Sequence, residues 1–316
     1  MKTHQNILII GYGSIGKRHF ENLKSLGYSN LTVYDPEAFK TAGLNVLPEL
    51  DPKKLKEFNA AIICSPTNLH LEHATICAKS GLAFFVEKPL LNNLAGLDEL
   101  EQMVREKSLV TMVGCNMRFH PCLRFIKTYL ESKKLGRVYS INNEFGYYLP
   151  EWRKGDYREN YAARPETGGG VLLDDIHEYD LMFWLNDFSS VTDHKVIKSK
   201  SSALELETED QASGSFLFEN GVIGRVFSDY LSRAYRRTCL VIGEQGNLSW
   251  DWNTNVVVLA SAKGHKVVFK ADNFNSNHMY VAELEHFFAS LQSGLQTQND
   301  ISQASILMKL LLKKNG

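Results

Sequence analysis

Short apolar runs alternate with helical patterns over the first 120 residues of the chain. The runs are rich in the β-branched and aromatic residues that favour strands, and they read NILII, LTVY, AAIIC, AFFVE and LVTMVG. Two of the intervening helical segments end in Gly27 and Gly81, and glycine readily closes a helix in the left-handed conformation. This alternation predicts βαβ units on a parallel sheet.

The pattern changes after about residue 120. One further helix is predicted over roughly 119–134, and the strand RVYSINNEFGY follows it. Later β-type runs are joined by short turns at Gly221, Gly246 and Gly264, which is typical of antiparallel hairpins. The chain ends in HMYVAELEHFFASLQ and DISQASILMKLLLKK, which predict two amphipathic helices. We therefore expect a largely antiparallel sheet with helices on one face.

Residues 147–167 resist assignment. The segment YYLPEWRKGDYRENYAARPET is rich in tyrosine and arginine and contains proline and glycine, without a clear period. Its aromatic content argues against disorder. We predict a long, functional loop.

The length and composition fit two domains. The chain has 316 residues, of which 44% are hydrophobic, and one core rarely serves so long a chain. We predict an α/β protein whose N-terminal domain of βαβ units covers residues 1–119. A C-terminal α/β domain with a large, mostly antiparallel open sheet is predicted over residues 120–316, and the C-terminal helix could pack back on the first domain.

The charge balance points to a small-molecule partner. Because 35 basic residues face 36 acidic ones, the net charge is −1, and no strong field attracts nucleic acid or an anionic membrane.

The cysteines and the N-terminus favour a soluble, cytoplasmic protein. All five cysteines lie in or beside apolar runs without a CxxC pair, which favours buried, reduced thiols over disulfides or a metal site. The start MKTHQNILII lacks a leader pattern, and no apolar run approaches the roughly 18 residues that a membrane helix requires.

The sequence GYGSIG, residues 11–16, follows a predicted strand and opens a predicted helix. In that context GxGxxG predicts dinucleotide binding: Gly11 permits the tight turn, Gly13 lets the backbone approach the pyrophosphate, and Gly16 lets helix and strand pack closely. Ser14 and Ile15 belong to the helix start that faces the phosphates. The alternatives are a glycine turn without a ligand and flavin binding.

Asp35 stands 19 residues beyond Gly16, at the end of the next strand. A carboxylate there accepts hydrogen bonds from the adenosine ribose and repels a 2′-phosphate. We therefore expect NAD, with NADP as the alternative.

Two further strand ends should line the same crevice, because ligands of open parallel sheets bind at the carboxyl ends of strands. The first is CSPTNLH, from which Ser65, Thr67, Asn68 and His70 are predicted to bind the dinucleotide. Zinc at His70, His73 and Cys77 is disfavoured because no further ligand is near in sequence, and no metal is expected.

The second strand end is VEKP, residues 86–89. Pro89 restricts Lys88 to extended geometry, so that the lysine projects from the strand beside Glu87. We predict that Glu87 and Lys88 lie at the cofactor and that Lys88 donates to a substrate oxygen. The alternative is a solvated lysine after an apolar run.

The stretch GGGVLLDDIHEYD, residues 168–180, predicts a helix that carries acid–base chemistry. At 100° per residue, Asp174, His177 and Asp180 share one side, so a carboxylate could orient the imidazole. The glycines are expected to let a ligand approach. Asp175 and Glu178 are interpreted as solvated acids. The alternative is a helix start with one surface histidine.

Four of these stretches in this order, GYGSIGKRH, CSPTNLHLEHA, VEKPL and GGGVLLDDIHEYD, resemble the Gfo/Idh/MocA oxidoreductases, which include glucose-fructose oxidoreductase and inositol dehydrogenase. The resemblance covers roughly residues 5–190 by motifs. It implies a Rossmann domain, a C-terminal domain whose open sheet often forms an oligomer interface, and oxidation or reduction of a sugar or cyclitol.

By motif, the resemblance places the family's catalytic lysine at Lys88, its histidine at His177 and its aspartate at Asp174. The family usually has its aspartate four residues before the histidine, whereas Leu173 stands there in this chain and Asp174 lies three before. The LLDxxHExD form is similar to a subgroup tied to bacterial surface sugars.

We therefore expect a dehydrogenase or reductase that moves hydride between NAD(P) and a sugar, cyclitol or nucleotide-sugar carbon. His177 would accept the hydroxyl proton, and Asp174 would orient the His177 imidazole. Lys88 would stabilise the alkoxide, and Lys88 and His177 could exchange these roles. A homo-oligomer, dimer or tetramer, is expected through the C-terminal sheet. The alternative is a dinucleotide-binding sensor without turnover. Substrate selectivity is assigned to Arg118, Trp152, Arg153, Tyr157, Tyr161 and Arg164, together with Asp174 and His177.

Overall fold

The computed structural model describes residues 5–38, 41, 43–152 and 154–313, which form two compact units. The first unit comprises the chain up to Asn116 together with Asn277–Lys313, and the second is Met117–Ser276. The predicted boundary at residue 119 therefore falls three residues earlier. Both C-terminal helices, which the prediction included in the second domain, belong to the first unit.

The first unit is built on a parallel sheet of five strands in the order β2-β1-β3-β4-β5. Residues 7–10 of the first strand are fully buried, as expected for a strand covered on both faces. The order reverses between β1 and β3, and in such sheets ligands bind at this point, outside the carboxyl ends of the strands. The strands are β1 Asn6–Ile10, β2 Asn30–Tyr34, β3 Ala60–Ile63, β4 Ala83–Glu87 and β5 Thr111–Gly114.

Helices connect these strands, as the alternating pattern predicted. They are α1 Ser14–Ser25, α2 Pro52–Leu55, α3 His70–Lys79 and α4 Leu97–Glu106. Gly27 and Gly81 have φ of +90° and +74°, which confirms that they close α1 and α3 in the left-handed conformation.

The second unit contains a sheet of eight strands in the order β13-β12-β11-β10-β6-β9-β8-β7. Neighbours pair antiparallel except β6 and β9, which are parallel, so the predicted, mostly antiparallel sheet is confirmed. The three predicted glycine turns join β8 to β9, β10 to β11 and β12 to β13. The strands are β6 Val138–Tyr148, β7 Val191–Ser199, β8 Gln211–Phe218, β9 Ile223–Asp229, β10 Leu231–Gly243, β11 Gly246–Asp251, β12 Val256–Ser261 and β13 Gly264–Lys270.

Helices of the second unit pack against one face of this sheet. They are α5 Pro121–Glu131, α6 Leu149–Trp152, α7 Val171–Asp174 and α8 Ile176–Leu185. On the opposite face, side chains of alternate residues include exposed Ile197, Leu217, Ile223 and Val267.

The segment predicted as a long loop, residues 147–167, is not structureless. It contains the end of β6, α6 and three 3₁₀ turns at Tyr157–Glu159, Tyr161–Ala163 and Pro165–Thr167. Such short turns have no long period, which explains why the sequence pattern did not reveal them.

Two C-terminal helices, α9 Asn277–Ser293 and α10 Ile301–Leu312, complete the first unit. The loop between them extends the edge of its sheet, because the amide of Val113 donates to Asn299 and the hydroxyl of Thr297 donates to Thr111. In the part of the chain that the structure describes, none of the helices is both long and apolar enough to cross a membrane.

Candidate active site

The glycine-rich loop of the first unit has the geometry that a dinucleotide requires. Gly11 has φ of +95°, and a Cβ there would lie 2.6 Å from the backbone nitrogen of Ser65. A Cβ on Gly16 would lie 2.1 Å from the carbonyl oxygen of Gly11. Both positions therefore need glycine because neighbouring backbone approaches so closely.

Gly13 differs from these two glycines, since a Cβ there would meet nothing within 4 Å. Gly13 is the N-cap of α1, where no side chain caps the helix, and both Gly13 and Ser14 are exposed. The first-turn N–H groups, including that of Ile15, are thus available to an anion, and the open space beside Gly13 fits a pyrophosphate.

Asp35 lies directly after β2, with its carboxylate fixed beside the glycine loop. Its oxygens accept hydrogen bonds from the amides of Tyr12, at 2.7 Å, and Glu37, at 2.8 Å. The side chain stays partly exposed. A rigid carboxylate with free lone pairs fits the ribose hydroxyls of NAD. The loop and Asp35 together therefore suit this cofactor.

Ser65, Thr67 and Asn68 follow β3 at the carboxyl end of the sheet. The hydroxyl of Ser65 lies 2.9 Å from Nδ1 of His73. Asn68 is exposed, whereas Thr67 is largely buried.

His70 does not face the ligand crevice as predicted. Its ring is 1% exposed, and its two nitrogens lie 2.8 Å from the carbonyl oxygens of Pro89 and Ser65. Burial lowers the pKa of His70, so the neutral ring donates to one carbonyl at a time. The residue joins two strand-end loops, which corrects its assignment as a dinucleotide ligand.

Glu87 and Lys88 follow one another at the carboxyl end of β4. Oε1 of Glu87 lies 2.6 Å from Nε2 of His19, and Oε2 accepts a hydrogen bond of 3.2 Å from the amide of Lys88. The Glu87 side chain therefore contacts His19 of α1, and its assignment to the cofactor stays a prediction. Lys88 is partly exposed.

In the second unit, the predicted single helix over residues 168–180 is two helices. Asp175, with φ of −102° and ψ of 31°, separates α7 from α8. The regular 100° step is interrupted at Asp175, so the predicted common side applies within one helix only to His177 and Asp180, which both lie in α8.

The helix break sends adjacent carboxylates to different partners. Asp175 accepts hydrogen bonds from the hydroxyl of Ser228 and, at 3.3 Å, from Nη2 of Arg237. Glu178 accepts one of 3.3 Å from the same guanidinium. Both acids are buried, at 0% and 1% exposure, so their interpretation as solvated acids is wrong. Burial first, and the charge of Glu178 second, raise the pKa of Asp175 well above its usual range.

Three tyrosine hydroxyls donate to the carboxylate of Asp174. Tyr147 donates at 2.8 Å, Tyr230 at 3.3 Å, and Tyr161 donates to the other oxygen. Burial, followed by the charge of Asp174, raises the pKa of both Tyr147 and Tyr230. These phenols therefore remain protonated donors, which suits an ionised carboxylate.

The glycines before α7 bring Tyr161 to this carboxylate. The amides of Gly169 and Gly170 donate to the carbonyls of Arg164 and Ala162, both at 3.0 Å. A Cβ on Gly169 would lie 2.3 Å from the carbonyl oxygen of Tyr161. The close approach is thus made by the chain itself, which corrects the expectation of a ligand there.

Asp174 and His177 are singled out by exposure. Every residue from 168 to 186 is buried except these two, which are partly exposed. Leu173, which occupies the family's usual aspartate position, is 7% exposed. The carboxylate and the imidazole are therefore the groups of this segment that a substrate can reach.

Arg118 is not available to a substrate. It is 1% exposed, and its guanidinium donates to both oxygens of Asp180 at 2.8 and 2.6 Å. The guanidinium also lies 5.1 Å from the ring centroid of Phe188. This buried pair corrects the prediction that Arg118 selects the substrate.

An aromatic layer extends from the Asp174 cluster. Trp152 is 42% exposed, its ring lies 4.4 Å from that of Tyr147, and it stacks on Tyr235 at 5.5 Å with planes 5° apart. Tyr147, Tyr230 and Tyr235 were missed from the sequence. Tyr147 stood in the tyrosine-rich segment, whereas the other two carried no signal.

Of the remaining predicted substrate residues, the structure describes Tyr157 and Arg164. The hydroxyl of Tyr157 accepts a hydrogen bond of 3.1 Å from the amide of Glu205, and Arg164 is exposed. Arg153 lies outside the described residues.

Two family models cover most of the chain. Residues 5–115 match the oxidoreductase family model with an NAD-binding Rossmann fold, and residues 123–249 match the GFO/IDH/MocA C-terminal domain. The chain belongs to the GFO/IDH/MocA family. It is therefore an NAD-binding oxidoreductase, and the resemblance found in its motifs is confirmed.

Relatives of this GFO/IDH/MocA oxidoreductase include dehydrogenases of cyclitols and sugars. It is 26% identical to a myo-inositol 2-dehydrogenase of Thermotoga maritima over 313 residues, 90% of this chain and 88% of that protein. It is 27% identical to a scyllo-inositol 2-dehydrogenase (NAD(+)) of Bacillus subtilis over 245 residues, 75% and 68% of the two chains.

Solved structures share the fold. A levoglucosan dehydrogenase in complex with NADH and L-sorbose matches with a TM-score of 0.84 and 18% identity, over 98% of this chain and 95% of that one. A UDP-N-acetylglucosamine 3-dehydrogenase from Acidithiobacillus ferrooxidans matches with a TM-score of 0.79 and 20% identity, over 97% and 95%.

Proposed function

We propose that this oxidoreductase interconverts a secondary alcohol and a ketone on a sugar, cyclitol or nucleotide sugar, with NAD as the redox partner. The observation that carries the proposal is the exposure of Asp174 and His177 alone within residues 168–186. The activities named for the inositol and levoglucosan dehydrogenases support the substrate class.

The bound nicotinamide would accept or supply the hydride at the reacting carbon. His177 takes the hydroxyl proton during oxidation and returns it during reduction, because loss of hydride from a carbinol requires loss of the oxygen's proton. Lys88 stabilises the negative charge that develops on that oxygen. The two side chains can exchange these roles, since both donate hydrogen bonds.

Asp174 supplies a fixed negative charge to the reaction. Tyr147, Tyr161 and Tyr230 hold its carboxylate in place, so it does not depend on solvent for orientation. Because a carboxylate near an imidazole favours its protonated form, Asp174 assists proton transfer to His177.

Aromatic side chains bind the apolar faces of the sugar ring. Trp152 offers an exposed face that Tyr147 and Tyr235 hold rigid. Tyr157, Tyr161 and Arg164 remain in the proposed substrate set. The narrower form of this proposal is that the substrate belongs to the synthesis of bacterial surface sugars.

The preference for NAD over NADP follows from Asp35. Its carboxylate is fixed by two amides, so it would face a 2′-phosphate with a charge that cannot turn away. NAD is therefore preferred to NADP. A cytoplasmic setting, where both dinucleotides are available, remains the expected location.

The sheet of the second unit forms the proposed oligomer interface, in a dimer or a tetramer. Ile197, Leu217, Ile223 and Val267 expose apolar surface on one face, with between 42% and 55% of each residue exposed. Replacing Ile223 by lysine should shift the protein toward the monomer in sedimentation analysis. An unchanged mass in solution would contradict this interface.

A screen of substrates tests the proposed activity. The protein is incubated with NAD and cyclitols, sugars or nucleotide sugars, or with NADH and the corresponding ketones, and absorbance of the reduced nicotinamide is followed. Turnover with one of these classes is expected. Tight NADH binding without turnover across the whole panel would favour a dinucleotide sensor.

A further inference from the structure

The first unit buries a glutamate, Glu283, in the helix α9. The residue is 0% exposed, and neither of its carboxyl oxygens has a hydrogen-bond partner among the residues that the structure describes. Its neighbours are His19 of α1 and Glu87 at the end of β4. One ligating atom from each of the three side chains lies within 4.8 Å of the other two. An ionised carboxylate without hydrogen bonds in such a place is strongly unfavourable, so its charge state needs a physical explanation.

His19 makes one hydrogen bond within this cluster. Its Nε2 lies 2.6 Å from Oε1 of Glu87, whereas its Nδ1 is buried without a hydrogen-bond partner. The neutral ring with its proton on Nε2 donates to Glu87 and leaves only a lone pair at Nδ1. A protonated ring would bury an unsatisfied N–H there, which costs about 1–3 kcal/mol.

Two ionised carboxylates would then place two negative charges in one buried cluster. Burial, and secondly the charge of Glu87, raise the pKa of Glu283 well above its usual range. Protonation of Glu283 removes one of these charges and turns one carboxyl oxygen into an O–H donor.

We infer that Glu283 is held as the neutral acid beside Glu87 and thereby positions the strand end that carries Lys88. Glu283 is thus a positioning residue, and this inference rests on the proposed role of Lys88. The link to Lys88 is direct, because the second oxygen of Glu87 accepts the hydrogen bond from the Lys88 amide.

A proton explains the cluster better than a metal ion does. Two ligands that each lie about 2.1 Å from one tetrahedral zinc ion stand about 3.4 Å apart. Nε2 of His19 and Oε1 of Glu87 are only 2.6 Å apart, a hydrogen-bond distance. The other Glu87 oxygen is already engaged by the Lys88 amide.

Other ionisable groups face this cluster from neighbouring elements. The Tyr280 ring lies 6.0 Å from the His19 ring and 4.5 Å from the Arg18 guanidinium. Burial, and secondly the charge of Glu87, raise the pKa of the Cys64 thiol. The ionisable groups that face the cluster of His19, Glu87 and Glu283 are Cys64, Arg18, Tyr280 and Lys88.

Infrared spectroscopy of the whole protein without dinucleotide tests the protonation of Glu283. The difference spectrum between the native protein and Glu283→Gln should show one lost C=O stretching band of a protonated carboxylic acid. Glu285→Gln, an exposed neighbour on the same helix, should leave that band unchanged. A lost carboxylate band instead, or stoichiometric zinc that disappears in Glu283→Gln, would overturn the inference.

Kinetics test the positioning role. Glu283→Gln keeps a neutral hydrogen-bond donor, and we expect kcat within about twofold of the native value. Glu283→Leu removes the donor at similar volume, and we expect kcat to fall about tenfold while KM for NAD stays unchanged. A Glu283→Gln variant whose kcat falls as far as that of Glu283→Leu would contradict the inference. If Glu283→Leu does not fold, the infrared result decides instead.

The two proposals fail separately. Unchanged turnover in Lys88→Ala would refute the role of Lys88 and leave the infrared band in place. Absence of the band from the native protein would refute the protonation of Glu283 and leave the dehydrogenase activity untouched.

Discussion

The hydroxyl of Tyr147 donates a hydrogen bond of 2.8 Å to Asp174, the residue that ends α7. This bond joins the end of β6 to the helix pair that carries His177. It also links the acid to the aromatic layer, since Tyr147 lies against Trp152. The position of the carboxylate is therefore set by strands and turns rather than by its own helix.

Removing this hydroxyl should lower turnover. A hydrogen bond to a charged group contributes about 1.5–3 kcal/mol, and 1.36 kcal/mol corresponds to tenfold in rate. We expect Tyr147→Phe to reduce kcat about tenfold while the NAD dissociation constant stays unchanged. Tyr139→Phe, which changes an exposed tyrosine of the same strand, is the matched control. A Tyr147→Phe protein that loses thermal stability but keeps kcat would reduce Asp174 to a structural role.

Replacing Asp35 should relax the choice of dinucleotide. Asp35→Ser removes the charge that repels a 2′-phosphate, so we expect the ratio of NADPH to NADH dissociation constants to fall about tenfold, or about 1.4 kcal/mol. Fluorescence titration measures both constants. Glu37→Ser removes an exposed charge two residues away and should leave the ratio unchanged. Equal affinity of the native protein for the two dinucleotides would refute the argument.

The buried cluster of Asp175, Glu178 and Arg237 should make the free energy of unfolding depend on pH. One cation, Arg237, serves the two carboxylates of Asp175 and Glu178, and the pKa of Asp175 is raised. An acid with a raised pKa contributes full stability below its unfolded pKa of about 3.9, and this contribution is lost as the pH rises through the raised value. Asp175→Asn mimics the protonated acid and does not titrate. The unfolding free energy of the variant minus that of the native protein should therefore increase as the pH rises above about 4.

Denaturant unfolding at several pH values measures this effect. Arg237→Met is the contrasting variant, because it leaves two buried acids without their cation and should cost about 3–5 kcal/mol at neutral pH. A difference between Asp175→Asn and native protein that does not vary with pH would show that folding does not raise the pKa of Asp175.

Local features were predictable from the sequence because their causes lie within a few residues. The glycine loop, the strand ends and the hairpin turns depend on backbone conformations that only a few residue types allow. Gly11, Gly27 and Gly246 all adopt positive φ in places that the sequence marked as turns or caps.

The features that could not be predicted depend on partners distant in sequence. Arg118 pairs with Asp180 at a separation of 62 residues, and Asp174 bonds to Tyr230 at a separation of 56. A helical period cannot reveal that Asp175 leaves the helix to reach Arg237. The acids of residues 174–180 therefore had the correct chemistry for a site, but most of them serve to pack the second unit.

The rate of nicotinamide reduction in a single turnover, measured for His177→Ala with a substrate identified by the screen, tests the central claim most directly. We expect the rate to fall about 10²-fold or more with an unchanged NAD dissociation constant, and Lys88→Ala to show the same pattern. His265→Ala and Lys56→Ala replace exposed residues of the same types and should retain native rates. Native rates in both His177→Ala and Lys88→Ala would contradict the account.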